Sequence, residues 1–173
     1  MHKILLAGVV LAVLGALALW WRHPDAPQMP EAAPVQMRTV RLADGTYLGF
    51  IRLVSDDSAI AFDDAVWLTG EAGEDAAIAA GLCDDSSRAE CLPDGFFIEN
   101  TDPSASLIAL GSSVRIVMQT YRMEESGVVE PQEIDLDAFE RLVNDTAAHW
   151  NDLPYEITVE DGAVGLIEEV YVP

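Results

Sequence analysis

The chain has 173 residues, half of them hydrophobic, and a formal net charge of −21. All 30 acidic residues lie beyond residue 23, where seven arginines oppose them, so this part of the chain carries −23. Such a surface repels phosphates, which excludes nucleic acid and anionic headgroups as partners, while the supply of Val, Ile, Leu, Phe and Tyr excludes a disordered chain.

Residues 4–21 form an unbroken run of 18 apolar residues, preceded by Lys3 and closed by Trp20, Trp21 and Arg22. A helix of that length spans roughly 27 Å, near the lower limit for crossing the hydrocarbon core, and paired indoles favour the headgroup interface. Residues 1–23 are therefore expected to form one transmembrane helix that tethers the chain to the membrane. The rival reading is a secretory signal cut after Ala16-Leu17-Ala18, which would leave a secreted domain. No cysteine directly follows the run, so lipid attachment at that point is excluded. Lys3 and the amino terminus barely outweigh Arg22, so the charges say little about orientation. The two cysteines say more. Cys83 and Cys91 bracket a short polar loop with no further ligand nearby for zinc, and a disulfide is the natural reading for an exported domain. The expected address is the cell membrane, single-pass, with the C-terminal domain periplasmic or extracellular.

Pro24, Pro27, Pro30 and Pro34 make residues 24–37 a semi-rigid spacer. The domain proper, 38–173, opens with Val40 and Leu42 entering an Asp44-Gly45 turn, then residues 47–54; Asp-Gly is a strong hairpin signal. Asp56-Asp57-Ser58 turns the chain into a strand at 59–62. Thr69 is placed as the cap of a first helix whose stripe is Ala72, Ala76 and Ala80, small enough to lie close to a sheet, with Gly81 as its stop. Pro93-Asp94-Gly95 precedes a strand at 96–98. Residues 106–110 read as a short strand, and Val114, Ile116 and Met118 as a separate half-buried one. Asp135 is placed as the cap of a second helix, with Leu136, Phe139, Val143, Ala147 and Trp150 on one face. A closing hairpin turns at Glu160-Asp161-Gly162. The pattern predicts an α+β fold: a small β-rich domain whose antiparallel sheet is curled or barrel-like, with two inserted helices.

Three stretches carry a resemblance. Residues 62–72 (Phe62-Asp63-Asp64-Ala65-Val66-Trp67-Leu68-Thr69-Gly70-Glu71-Ala72), residues 92–100 and the ending from Tyr155 to Gly162 resemble motifs of small exported, lipoprotein-like bacterial proteins of unknown function. The resemblance implies architecture and location and no activity. This chain departs from those proteins in lacking a lipid-acceptor cysteine.

Chemistry-bearing patterns are sparse. There is no Gly-x-Ser-x-Gly, and Gly111-Ser112-Ser113 lacks a strand–turn–helix setting. His149 is the sole histidine beyond the spacer and falls one step off the second helix's apolar face. The aspartate pairs 56–57, 63–64 and 84–85 lack the spacing of a calcium loop, and no Gly-rich loop opens a helix to cradle phosphate. No cofactor is implied. Asp63 and Asp64 before Trp67 stand out as ligand-binding candidates, because tryptophan beside carboxylate suits a sugar site; the competing reading makes Trp67 core and Asp63 a turn residue. The leading expectation is a non-catalytic, membrane-tethered extracytoplasmic module that binds a protein or ligand of the cell envelope. The alternatives are a carboxylate-dependent hydrolase of an envelope polymer, built on those same residues, and an acidic cation-binding surface protein.

Overall fold

The computed structural model describes residues 37–173, apart from Asp57, Pro103, Pro173 and the Glu124 side chain. The expected membrane helix and the spacer up to residue 36 lie outside the described residues. Among the described residues, no helix is long and apolar enough to cross a membrane.

In chain order the elements are β1 (Arg38–Thr39), β2 (Gly45–Ser55), β3 (Ala59–Asp64), β4 (Val66–Thr69), α1 (Gly70–Ala79), β5 (Phe96–Glu99), β6 (Ser106–Met118), α2 (Met123–Ser126), β7 (Gln132–Ile134), α3 (Leu136–Asn144), β8 (Pro154–Glu160) and β9 (Ala163–Glu169). Five strands close into a barrel in the order β6-β3-β2-β8-β9, with β9 pairing back onto β6. Closure removes the free edges that an open sheet would present. β1 and β7 extend β6 at its two ends, and β4 pairs with β5 as a separate ribbon. The domain is thus α+β with a barrel-like sheet, as its pattern predicts.

Two parts of that expectation are corrected. The sheet is not antiparallel throughout, because β6 and β9 run parallel. Parity requires it: the four other neighbouring pairs alternate direction, and a ring with an odd number of strands cannot alternate all the way round. There are also three helices among the described residues, not two, since the single turn α2 joins β6 to β7 and ends at Gly127 in the left-handed region, φ 68°.

Several local readings change as well. Asp44-Gly45 does not make a hairpin: residues 45–50 pair with β8, and the segment before the turn pairs with β6 instead, through β1 and the Val40 N–H. The two strands expected between 106 and 118 are one strand. Its register slips against β9 between Leu110 and Arg115, so Gly111-Ser112-Ser113 is an irregular stretch that lets β6 serve β3 first and β9 afterwards. α1 buries Gly73 and Ala77 rather than the Ala72, Ala76, Ala80 stripe. A Cβ on Gly73 would stand 2.9 Å from the Leu68 carbonyl oxygen, so glycine permits this close contact with the ribbon. Thr69 holds the cap position, but its hydroxyl makes no capping bond.

The closing hairpin forms as predicted, with Asp161 at φ 54° and Gly162 at φ 79°, the signs that a tight twisted turn needs. Asp135 caps α3 by accepting from the Ala138 N–H at 2.7 Å. α3 seats Phe139 and Val143 in the core, the Phe139 ring edge-on to Tyr155 at 5.6 Å. It stops at Asn144, short of the expected stripe. The Asn144 amide there both donates to the Val54 carbonyl and accepts from the Val54 N–H, each at 2.9 Å. Ala147 is consequently exposed, and Trp150 sits in a separate 3₁₀ turn, half-buried against the core.

Candidate functional site

β-Strand alternation decides the fate of the aspartate pair, since neighbouring residues face opposite sides. Asp63 is fully buried on the outer side of β3. It meets Arg52, the extra residue of a bulge: Ile51 pairs with Phe62 and Leu53 with Ala61, which leaves Arg52 without a partner in the ladder. Freed in this way, the guanidinium donates from Nε and Nη2 to Asp63 Oδ2 at 3.0 and 2.8 Å. It also donates to the Asn151 carbonyl at 3.1 Å, lies 3.6 Å from Asp152 Oδ1 and covers the Phe50 ring. Asp63 therefore clamps the bulge and the 3₁₀ turn to the barrel. Its Oδ1 makes no hydrogen bond among the described residues.

Asp64 faces the other way, the same way as Ile60 and Phe62, and lies at the barrel end where β3 finishes. There it borders a cavity of about 230 Å³ lined by Leu42, Tyr47, Phe62, Ser104, Ser106 and Ile108. Its side chain is exposed at the cavity mouth, and partial loss of water there, with secondly the charge of Asp63, pushes its carboxyl above the ordinary value of 3.8.

Trp67 belongs to a third place. The β4–β5 register sets Trp67 opposite Ile98 and Thr69 opposite Phe96, which puts Trp67 and Phe96 diagonally on one face. Their rings stack at 4.0 Å. Trp67 is 38 % exposed and walls an open cleft of about 400 Å³, whose other sides are Thr46 and Leu48 of β2, Glu156 of β8, and Val170. The lobe carrying it is clamped behind. Cys83 and Cys91 form a disulfide with Cα atoms 5.5 Å apart. Inside that loop Asp84 accepts from the Ser86 and Ser87 N–H groups, and these bonds, with those from the two hydroxyls, hold its carboxyl below the usual value. Arg88 reaches Asp75 at 2.7 Å and Asp85 at 3.0 Å, joining the loop to α1.

Asp63, Asp64 and Trp67 are thus not brought together. One is tied up in a buried ion pair, one lines the barrel-end cavity and one lines the cleft. His149 is exposed, in the left-handed region at φ 59°, with Nδ1 3.1 Å from Asp152 Oδ2. Among the described residues, no group of three or more His, Cys, Asp or Glu is arranged to hold a metal ion.

Sequence reasoning missed Arg52, Phe96 and Glu156. Arg52 had a signal, as a lone cation in an apolar strand of a chain with nine basic residues. Phe96 had one in its doublet with Phe97, since adjacent aromatics on a strand face opposite sides and only one can point inward. Glu156 had none, because it is ordinary as an outward residue of a strand. Compared with protein-family models, curated proteins and solved structures, the chain matches none.

Proposed function

We propose that this chain is a non-catalytic, membrane-tethered module on the extracytoplasmic side, and that it binds an envelope protein or ligand through the cleft beneath Trp67. The observation that carries this reading is the Trp67–Phe96 stack, held open to solvent beside Leu48 and Val170. A large aromatic surface left in water on a clamped lobe is the usual make-up of a binding anchor. Glu156 and Thr46 at the rim supply polar groups that fix orientation. The disulfide supports an oxidising compartment, and the apolar run 4–21 with its proline spacer supports a tether. The resemblance of residues 62–72, 92–100 and 155–162 to small exported bacterial proteins agrees with that address.

The test is retention of partners from solubilised membranes by three immobilised baits: the full chain, its Trp67→Ala variant and residues 1–37 alone. The full chain is expected to retain a partner that both others lose. Equal recovery on residues 1–37, or recovery unchanged by Trp67→Ala, would remove the reading.

A further inference from the structure

We propose that the barrel-end cavity bordered by Asp64 is a binding site for a small organic cation, an ammonium group carried on a short apolar tail. This does not rest on the Trp67 cleft, which is lined by different residues.

The lining selects this chemistry. The cavity holds about 230 Å³, several times the roughly 30 Å³ share of a water molecule, so it has room for a ligand of several heavy atoms. Its floor is Phe62 and Ile108, both members of the hydrophobic core, and Leu42 and Tyr47 pack against that core beside them. Phe62 and Ile108 are already sealed, so the apolar surface that a hydrocarbon tail would cover is that of the half-buried Leu42 and Tyr47, from which an inorganic ion gains nothing. Among the described residues, Asp64 is the single acidic or basic one in the lining, and no ion pair links it to any of the others. Tyr47, half-buried in the cavity wall, adds an aromatic ring, a group to which an ammonium is attracted. The Ser104 and Ser106 hydroxyls border the same space as further acceptors.

The cavity is also built to stay open. A Cβ on Gly49 would stand 2.7 Å from Phe62 Cζ, so glycine there lets the ring occupy its place. The Tyr47 hydroxyl donates to the Ala43 carbonyl at 3.0 Å, which holds that ring to the wall instead of the void. Arg41 donates to the Asp161 carbonyl at 3.0 Å and so anchors the segment that carries Leu42. Electrostatics agree in sign. Partial desolvation and the neighbouring Asp63 both disfavour the charged form of Asp64, and the opposite charge of a bound cation offsets them. The net charge of −21 adds an attractive field for cations and a repulsive one for anions.

The experiment titrates the ¹⁵N-labelled full chain, in a neutral detergent at fixed ionic strength, with n-butylammonium, n-butanol or butyrate. Butylammonium is expected to give saturable shifts at the amides of Tyr47, Phe62, Asp64 and Ser106. Butanol and butyrate are expected to bind at least tenfold more weakly. Asp64→Asn, which keeps the shape of the side chain, is expected to weaken butylammonium at least tenfold while amides remote from the cavity keep their positions. Trp67→Ala should leave the titration unchanged, so failure of the cleft reading and failure of this one are separable. Equal binding of butanol and butylammonium, indifference to Asp64→Asn, shifts spread over the acidic surface, or no saturable shift would each overturn the proposal.

Discussion

Replacing Arg52 with methionine strips Asp63 Oδ2 of the two hydrogen bonds it accepts at 2.8 and 3.0 Å and leaves a carboxylate that water does not reach. Breaking a fully buried pair from one side costs about 3–5 kcal/mol, because the surviving charge is left uncompensated. Arg52 itself is 36 % exposed, so water fills part of the space it vacates. The expected loss is therefore about 2–4 kcal/mol. Removing the other partner is milder. In Asp63→Asn the guanidinium keeps its exposed face and its bond to the Asn151 carbonyl, and an Asn oxygen still accepts; about 1–2 kcal/mol is expected. The double variant Arg52→Met, Asp63→Leu removes both charges together and should return to within about 1 kcal/mol of the parent. Urea unfolding of these proteins and of Asp63→Leu alone, in one detergent condition, gives the double-mutant cycle of Arg52→Met and Asp63→Leu. If Arg52→Met falls within about 0.5 kcal/mol of the parent, or if the double variant is as unstable as the two singles summed, the clamp assigned to this pair does not exist.

Three further outcomes follow from the same geometry. Asn144→Leu deprives the Val54 N–H and carbonyl of their shared partner and should cost about 2–3 kcal/mol in thermal unfolding, since buried backbone groups are then left unpaired. Gly73→Ala gains about 0.5–1 kcal/mol of helix propensity, yet its methyl would press on the Leu68 carbonyl and Leu92 Cδ1, both at 2.9 Å. Overpacking of about 1–3 kcal/mol wins, and the variant should melt lower with faster amide exchange confined to residues 66–99. Asp64→Asn should act in the opposite direction. The folded carboxyl titrates above 3.8, so the fold binds its proton more tightly than the unfolded chain does. This group's contribution is thus present below 3.8 and lost as pH rises through the folded value. The variant should melt above the parent at neutral pH, with the gain vanishing on acidification below 3.8; a lower midpoint at neutral pH would contradict this.

Local signals in the sequence were read well where a short-range rule acts alone. The Asp161-Gly162 turn, the Asp135 cap, the Gly81 stop and the Cys83–Cys91 bridge each depend on a few neighbouring residues. The failures came where an element's state depends on a distant partner. Asp44-Gly45 carries a hairpin signature, but the residues after it pair with β8, a strand more than a hundred residues away, and those before it pair with β6. The apolar face from Leu136 to Trp150 keeps helical spacing, yet the chain leaves helical geometry at Asp145, just after the Asn144 side chain has tied the helix end to Val54. The buried stripe of α1 is not legible in its alanines, because the residue set closest to the ribbon is Gly73, which has no side chain to mark it.

The candidate site teaches the same lesson in the other direction. Asp63, Asp64 and Trp67 drew attention because they stand close together in the chain, but closeness within a strand separates side chains. One residue's shift turns a carboxylate from the barrel-end cavity to the opposite face, where the bulged Arg52 captures it. The two aspartates remain coupled by charge across the strand while serving different surfaces. A catalytic pair needs both carboxylates on one substrate; here the fold gives one to a clamp and the other to a cavity. Asp64 is accordingly left with only what a lone carboxylate beside Leu42 and Tyr47 can do, and holding a cation is within its reach.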